Sequence, residues 1–339
     1  MDKPSSEIAN SAMNAATMTR MRALGKSGIQ VSPIGLGTLE LGNGSFWQRR
    51  LSPVIILQEE KNAIVKAALD GGINWFDTYL AVEQSLVLAL RAAGKSDAVL
   101  VTKWYPILKT AGNIKQDIQK HIQSLDGYRL DLYMVHFPLS FSSTEAEMNA
   151  MADLFEAGKI RSVGVSNFNA KNMRRAHKAL SQRGIPLAAN EVGYSLAYRG
   201  IETNGILETA GELGITLIAH SPLMGGLLTG KYHQNPALIR NTASLRRFTL
   251  NIGRFTLNFN GSLEKSRPLI QALEEIATSH QATPAQVALN WLINFHGESV
   301  VAIPGATKVS QVKSSADAMR LCLSGDDMVR LDELSRCFR

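Results

Sequence analysis

The apolar positions of this chain fall into short runs rich in β-branched residues, separated by longer segments whose apolar residues recur at helical spacing. The extended runs are PIGLGT (33–38), NWFDT (74–78), VLVTKW (99–104), LDLYMVHF (130–137), IRSVGVSN (160–167), LAANEVGY (187–194), ITLIAHS (215–221) and SVVAIPGA (299–306), eight in all. Helical patterns lie between them, for example IVKAALDGG with its glycine stop, and IKQDIQKHIQSLDG. Parallel strands need helical crossovers and eight of them close a packed core, so the pattern predicts a (β/α)8 TIM barrel. The competing doubly wound sheet usually places a Gly-rich phosphate loop after its first strand. Here the run from Gly35 to Thr38 completes no G-x-G-x-x-G and opens no helix, which favours the barrel.

Residues 21–32, MRALGKSGIQVS, place a Gly-containing turn between two short extended runs and predict an N-terminal hairpin closing the bottom of the barrel. Residues 1–20 are small, polar and without period, and read as a disordered tail, leaving 21–339 as one barrel domain with extra C-terminal helices. The stretch from about 224 to 261 is rich in glycine, arginine and asparagine with weak periodicity. It predicts a long loop on the rim, in the place of a lid over a ligand.

Composition removes several classes. The longest apolar runs fall well short of the roughly 18 residues of a membrane span. The two cysteines, Cys322 and Cys337, both lie near the C-terminus and build no disulfide framework, so the chain reads as cytoplasmic. The tail has no apolar h-region and carries Asp2 and Glu7 among few bases, unlike a targeting peptide. A net charge of +7 and a pI near 9.4 raise nucleic acid as a partner. The bases are scattered, however, with one local excess at Arg240, Arg246, Arg247 and Arg254, and an anionic small ligand explains a modest positive field as well. Neither nucleic acid, membrane nor metal is expected as a partner.

Three successive runs end in polar or ionisable residues: Asp77 and Tyr79 after INWF, Lys103 after VLVT, and His136 after LDLYMV. In a parallel barrel such ends converge on the rim where chemistry is done. Singly, each reads as a cap or a satisfied histidine. Together they are harder to dismiss, because an ammonium at Lys103 needs a counter-charge or a ligand, and Asp77 on the adjacent strand supplies one. Trp47, Trp104, Tyr105, Phe137 and Phe141 follow strands and offer either walls for an apolar or aromatic ligand or packing for loops.

The stretches GLGT, GGINWFDT, VTKW, LDLYMVHFP, GKIRSVGVSNF, AHSPLMGGLLTGKY and VAIPGATKVSQV together resemble the aldo-keto reductase family along nearly the whole chain from about Met21. The resemblance implies a barrel that binds a nicotinamide cofactor, usually NADPH, without a Rossmann motif and reduces a small carbonyl substrate. Asp77, Lys103, Tyr79 and His136 then become the catalytic set. The Lys103 ammonium, held by Asp77, tunes a phenol that protonates the developing alkoxide, and His136 orients the carbonyl. An ungapped count places Val82 where the family has its tyrosine. Omitting three residues after Thr78 brings Tyr79 there and Glu83 onto the helix-starting glutamate, with Tyr105 as a substitute acid.

For the cofactor, the resemblance implies Gly37 and Thr38 at the first strand, Ser166, Asn167 and Glu191 on the carboxamide, and His220 stacked on the nicotinamide. Ser221, Leu223, Gly225 and Lys231 would approach the pyrophosphate, Lys308 the 2′-phosphate, and Gln311 and Ser315 the adenosine. The residues alone leave Ser166 and Asn167 open as an N-cap for the following helix, a role Asn169 fills equally well. The turn IPGATK suits anion binding through free backbone N–H groups. Lys308 favours NADPH over NADH. Two other functions stay open: an NADPH-binding regulatory subunit, similar to the potassium-channel β-subunits of this fold, and an aldolase using Lys103 as a Schiff base, which pairing with Asp77 disfavours.

Overall fold

The computed structural model describes residues 20–42, 55–241 and 259–339. The tail expected over 1–20, apart from its last residue, lies outside the described residues, as do Trp47 and positions 242–258 of the expected loop.

All eight predicted runs contain a strand: β3 (Leu36–Gly37), β4 (Trp75–Asp77), β5 (Val99–Trp104), β6 (Leu132–Val135), β7 (Ser162–Ser166), β8 (Leu187–Gly193), β9 (Thr216–His220) and β10 (Val300–Ala302). Each pairs in parallel with its neighbour in sequence. The ring closes between its ends through the parallel bridges Ile34–Ala302 and Gly37–Gly305, with Gly35 N–H donating to the Ala302 carbonyl at 2.8 Å. The crossovers include α1 (Gln58–Asp70), α2 (Leu80–Ala92), α3 (Ile114–Leu125), α4 (Thr144–Glu156), α5 (Ala170–Ser181), α6 (Ile206–Leu213), α7 (Phe259–Ser279) and α8 (Pro284–Asn294). After β10 come α9 (Val309–Ala318) and α10 (Gly325–Ser335).

Strand periodicity of two divides the residues between two cores. Trp75, Val99, Val101, Leu132, Met134, Ala189 and Ile218 pack inside the barrel, where Leu24, Ile29 and Val31 join them from the hairpin of β1 (Arg22–Ala23) and β2 (Gln30–Val31). The hairpin therefore plugs the bottom, as its sequence predicts. Gly35 is required there, because a Cβ would lie 2.3 Å from the Trp75 ring. The alternate positions, among them Phe76, Leu100, Trp104, Tyr133 and Val135, face the helices and form the outer core.

Part of the stretch expected as a long rim loop has local helical structure. Residues 224–241 form helical turns at Met224–Thr229, Lys231–Gln234 and Pro236–Asn241. Gly225, Gly226 and Gly230 have positive φ (62°, 95° and 78°), which lets the chain reverse between turns where periodicity is hard to see.

Buried charged residues also stand outside the barrel mouth, Arg199 and Glu147 among them. Arg199 is fully buried and joins Glu202 and Asp332, with Nη2 2.7 Å from Glu202 Oε2 and 2.6 Å from Asp332 Oδ1, fastening α10 to the body. Glu147 on α4 is also buried, and burial pushes its carboxyl up to about 7 from an ordinary value near 4.5, against the pull of a Ser140 hydrogen bond and Arg175. Between those pH values the native state keeps a proton that the unfolded chain releases, so this residue's contribution to stability is lost as pH rises through about 7. Glu147→Gln is therefore expected to raise the unfolding midpoint at pH 8, by an energy on the order of 3 kcal/mol, and to bring little gain at pH 4. Denaturant unfolding of both proteins at the two pH values checks this.

Candidate active site

Each ionisable group at the mouth sits two residues beyond an inward-facing core residue on its strand: Asp77 beyond Trp75, Lys103 beyond Val101, His136 beyond Met134, Glu191 beyond Ala189 and His220 beyond Ile218. The pleat that aims the apolar residues into the barrel thus aims these side chains at its C-terminal mouth. They line a cavity of about 1270 Å³.

At its centre Lys103 Nζ lies 2.5 Å from Asp77 Oδ1 and 3.0 Å from Glu191 Oε2, all three side chains being buried. The Glu191 contact is an ion pair, and Lys103 is the one partner shown for Oε2 among the described residues. Burial works against the ammonium, but the Asp77 and Glu191 carboxylates outweigh it and hold Lys103 above the usual lysine value. Burial, reinforced by Glu191, pushes the Asp77 carboxyl up to about 7 despite Lys103. Burial, followed by the Lys103 charge, drives His136 down to about 3 and His220 down to about 4, so both imidazoles are neutral near pH 7.

His136 stacks on Phe137 with ring centroids 4.0 Å apart, and the half-exposed Tyr105 meets its edge at 5.8 Å. Tyr79 lines the same cavity as the N-cap of α2, yet its hydroxyl donates to the Leu39 carbonyl at 3.4 Å. Its phenol is pushed up to about 12 by burial and then by the Glu40 charge. Asp77, Lys103, His136 and Tyr79 thus share one cavity, with the Tyr79 hydroxyl turned toward the loop after β3.

Of the other expected site residues, Gly37, Thr38, Glu191, His220, Ser221, Leu223, Gly225, Lys231, Gln311, Ser315, Trp104 and Tyr105 line the cavity. Ser166, Asn167, Phe137 and Lys308 do not. Asn167, at φ 61°, donates to the His136 carbonyl at 3.2 Å and lies 3.4 Å from His220 Nε2, so it ties three strand ends together. The N-cap of α5 is Asn169, which accepts from Asn172 N–H at 2.9 Å. Lys308 is exposed at the N-cap of α9, and Gln311 accepts from Thr307 N–H at 2.8 Å. Trp104 is wholly buried with its indole N–H on Asp117 Oδ2 at 3.1 Å, because period two turns it outward when Lys103 turns inward. Phe141 is an exposed ring on the loop after β6.

Sequence reasoning missed a second polar group on the cavity wall: Lys109, Asp117, Lys120 and His121. The signal was in IKQDIQKHIQSL, where Asp117 and His121 occupy the buried face of α3 with Ile114, Ile118 and Leu125.

A family model described as the aldo/keto reductase family matches residues 33–336. The chain belongs to the aldo/keto reductase family. This aldo-keto reductase is 30% identical over 323 residues to the chloroplastic pyridoxal reductase of Arabidopsis thaliana, covering 90% of this chain and 83% of that relative. It is 32% identical over 332 residues to an uncharacterized oxidoreductase of Mycobacterium tuberculosis, covering 94% of each. A thermostable aldo-keto reductase solved with the inhibitor epalrestat superposes with a TM-score of 0.71 at 27% identity, over 93% of this chain and 99% of that one. The glycerol dehydrogenase of Gluconobacter oxydans superposes with a TM-score of 0.76 at 22% identity, over 94% and 95% of the chains, and bears on the fold alone. No helix among the described residues of this aldo-keto reductase is long and apolar enough to cross a membrane.

Proposed function

We propose that this protein is an NADPH-dependent reductase of aldehydes or ketones. The observation that carries the reading is Lys103 held between Asp77 and Glu191 at the barrel mouth, with a neutral His136 on the same cavity. The walls suit a nicotinamide nucleotide. Glu191 presents a buried carboxylate to the cavity, the backbone turns from Ser221 to Gly226, and α9 begins at Lys308 without a side-chain cap. Bound NADPH would supply the hydride. Glu191 and His220 would hold its nicotinamide end, and Ser221, Leu223, Gly225, Lys231, Gln311 and Ser315 its nucleotide arm, with Ser166 and Asn167 supporting the rim and Lys308 offering the charge that favours a 2′-phosphate.

The protein's own part is to orient and to protonate. His136, neutral, donates a hydrogen bond to the carbonyl oxygen and polarises it. Lys103 places positive charge beside the oxygen where negative charge develops. Tyr79, whose phenol stays protonated at neutral pH, delivers the proton after leaving a long and weak bond to Leu39. Tyr105, Phe137 and the outward-packed Trp104 shape the substrate side. An aromatic aldehyde such as pyridoxal fits this reading, which the Arabidopsis thaliana relative's name suggests. Cys322 and Cys337 are exposed free thiols, which suits the cytoplasm.

A second reading, a cofactor-binding regulatory protein with slow turnover, has one observation behind it: the Tyr79 hydroxyl rests on Leu39. Tyr79→Phe separates the two. We expect it to lower kcat for pyridoxal or 4-nitrobenzaldehyde by about 10²-fold or more with little change in NADPH affinity, while Tyr105→Phe keeps most turnover. Steady-state kinetics with NADPH titration by fluorescence decides. Full turnover in Tyr79→Phe combined with loss in Tyr105→Phe assigns the proton to Tyr105.

A further inference from the structure

The connection from β4 to α2 is two residues long, Thr78 and Tyr79, so α2 starts at the barrel rim. The cavity then extends past Leu80 and Ala81 to α3, outside the ring of strands. Tyr79 provides no side-chain cap and its carbonyl accepts from Val82 N–H at 2.8 Å, which leaves the N–H groups of Leu80 and Ala81, at the start of the 13-residue α2, without helical acceptors at this wall.

Lys109 and Lys120 stand opposite. Both ammonium groups bond one carboxylate, Asp117, at 2.6 and 2.8 Å, and the Trp104 indole N–H is its third donor. This gathers two cations over a single, already saturated anion and leaves their remaining N–H groups to the cavity. The floor is His121. Its side chain is 5% exposed and lines the cavity, and its Nδ1 lies 2.6 Å from Glu83 Oε1. Glu83 is fully buried behind the imidazole and also accepts from Thr102 at 2.8 Å, so a ligand meets the ring and not the carboxylate.

We propose that Lys109, Lys120, His121 and the N-terminus of α2 form a subsite for an anionic group, a carboxylate or a phosphate, carried by the carbonyl substrate. The proposal rests on the reductase reading and narrows its substrate class to carbonyl compounds with a remote acidic group. Apart from Gly37 and Thr38 at β3, the expected cofactor positions lie at or beyond the ends of β7 to β10, whereas Lys109, Lys120 and His121 follow β5, so the subsite falls on the substrate side.

The test compares acid and ester pairs of matched shape: 4-formylbenzoate and the longer 4-formylcinnamate against their methyl esters. Wild type is expected to favour the acid of at least one pair by about tenfold or more in kcat/KM, mainly through KM, with the advantage shrinking between low and high salt. Lys120 is the more exposed lysine and the safer one to change. Lys120→Met should remove most of the advantage, and Lys120→Arg should retain it. The alcohol products supply a second pair, and calorimetric binding of acid and ester alcohols reads the same preference without turnover. Acid-to-ester ratios near one for both lengths, or ratios unmoved by both Lys120→Met and Lys109→Met, overturn the subsite. If no aldehyde is turned over but the acid alcohol still binds more tightly and loses that advantage in Lys120→Met, the subsite stands and the reductase reading falls. A carboxylate preference that a phosphate ester such as pyridoxal 5′-phosphate does not share assigns the subsite to carboxylates.

Discussion

Lys103→Met is expected to lower kcat/KM for aldehyde reduction by about 10²- to 10⁴-fold while leaving the nucleotide arm of the cofactor site in place. The size follows from what the ammonium does. It lies 2.5 Å from Asp77 and 3.0 Å from Glu191 in a buried mouth, where a fixed charge acts on a developing alkoxide with little screening. Methionine keeps the stem and removes the charge, so substrate binding through the aromatic wall changes little and kcat falls more than KM rises. A second consequence separates this variant from one that is merely misfolded. Without the shared cation, the two carboxylates face each other and Asp77 holds its proton to still higher pH than about 7. A raised carboxyl stabilises the native state below its unfolded value and loses that contribution as pH rises. The variant should therefore lose stability relative to wild type progressively from pH 6 to pH 9. Denaturant midpoints across that range, alongside the kinetics, measure both effects.

Arg199→Met carries the largest expected loss of stability away from the mouth. The guanidinium is fully buried, bonds Glu202 and Asp332 as well as Ser335 Oγ at 2.6 Å, and lies 4.8 Å over the Trp291 ring. Removing one partner of a buried pair leaves carboxylates whose desolvation is no longer compensated, which typically costs about 3–5 kcal/mol. Arg339 still reaches Glu202 at 2.9 Å and Asp332 at 2.8 Å, and Arg336 reaches Asp332 at 2.7 Å, so the lower figure of about 3 kcal/mol applies. Because the cluster pins α10 and the chain's last residues, local opening should appear there first. Hydrogen exchange of α10 together with the global unfolding midpoint checks it; an unchanged midpoint would show that Arg336 and Arg339 suffice.

The barrel was legible because parallel strands covered on both faces read as continuous apolar runs, and the crossovers keep helical spacing with glycine stops. The same period of two that hides the barrel's two cores inside each run also places Asp77, Lys103 and His136 at its mouth. Trp104 shows the converse. It follows Lys103 directly, so the pleat turns its indole toward α3, where it still lines the cavity. The direction of the Tyr79 hydroxyl depends on a two-residue connection and on the loop carrying Leu39, neither of which a motif count can resolve. The group formed by Glu83, Asp117 and His121 was hidden because α2 supplies Glu83 while α3 supplies Asp117 and His121. Only their polar character at buried helical positions marked them.

The most direct measurement is the fate of the hydride. With NADPH carrying deuterium at C4 and pyridoxal or 4-nitrobenzaldehyde as substrate, the account predicts one deuterium on the carbinol carbon of the product alcohol from the wild-type protein, and a rate at least about a hundredfold lower from Lys103→Met. An alcohol without deuterium from cofactor labelled on either face of C4, or transfer at an undiminished rate in Lys103→Met, would contradict it.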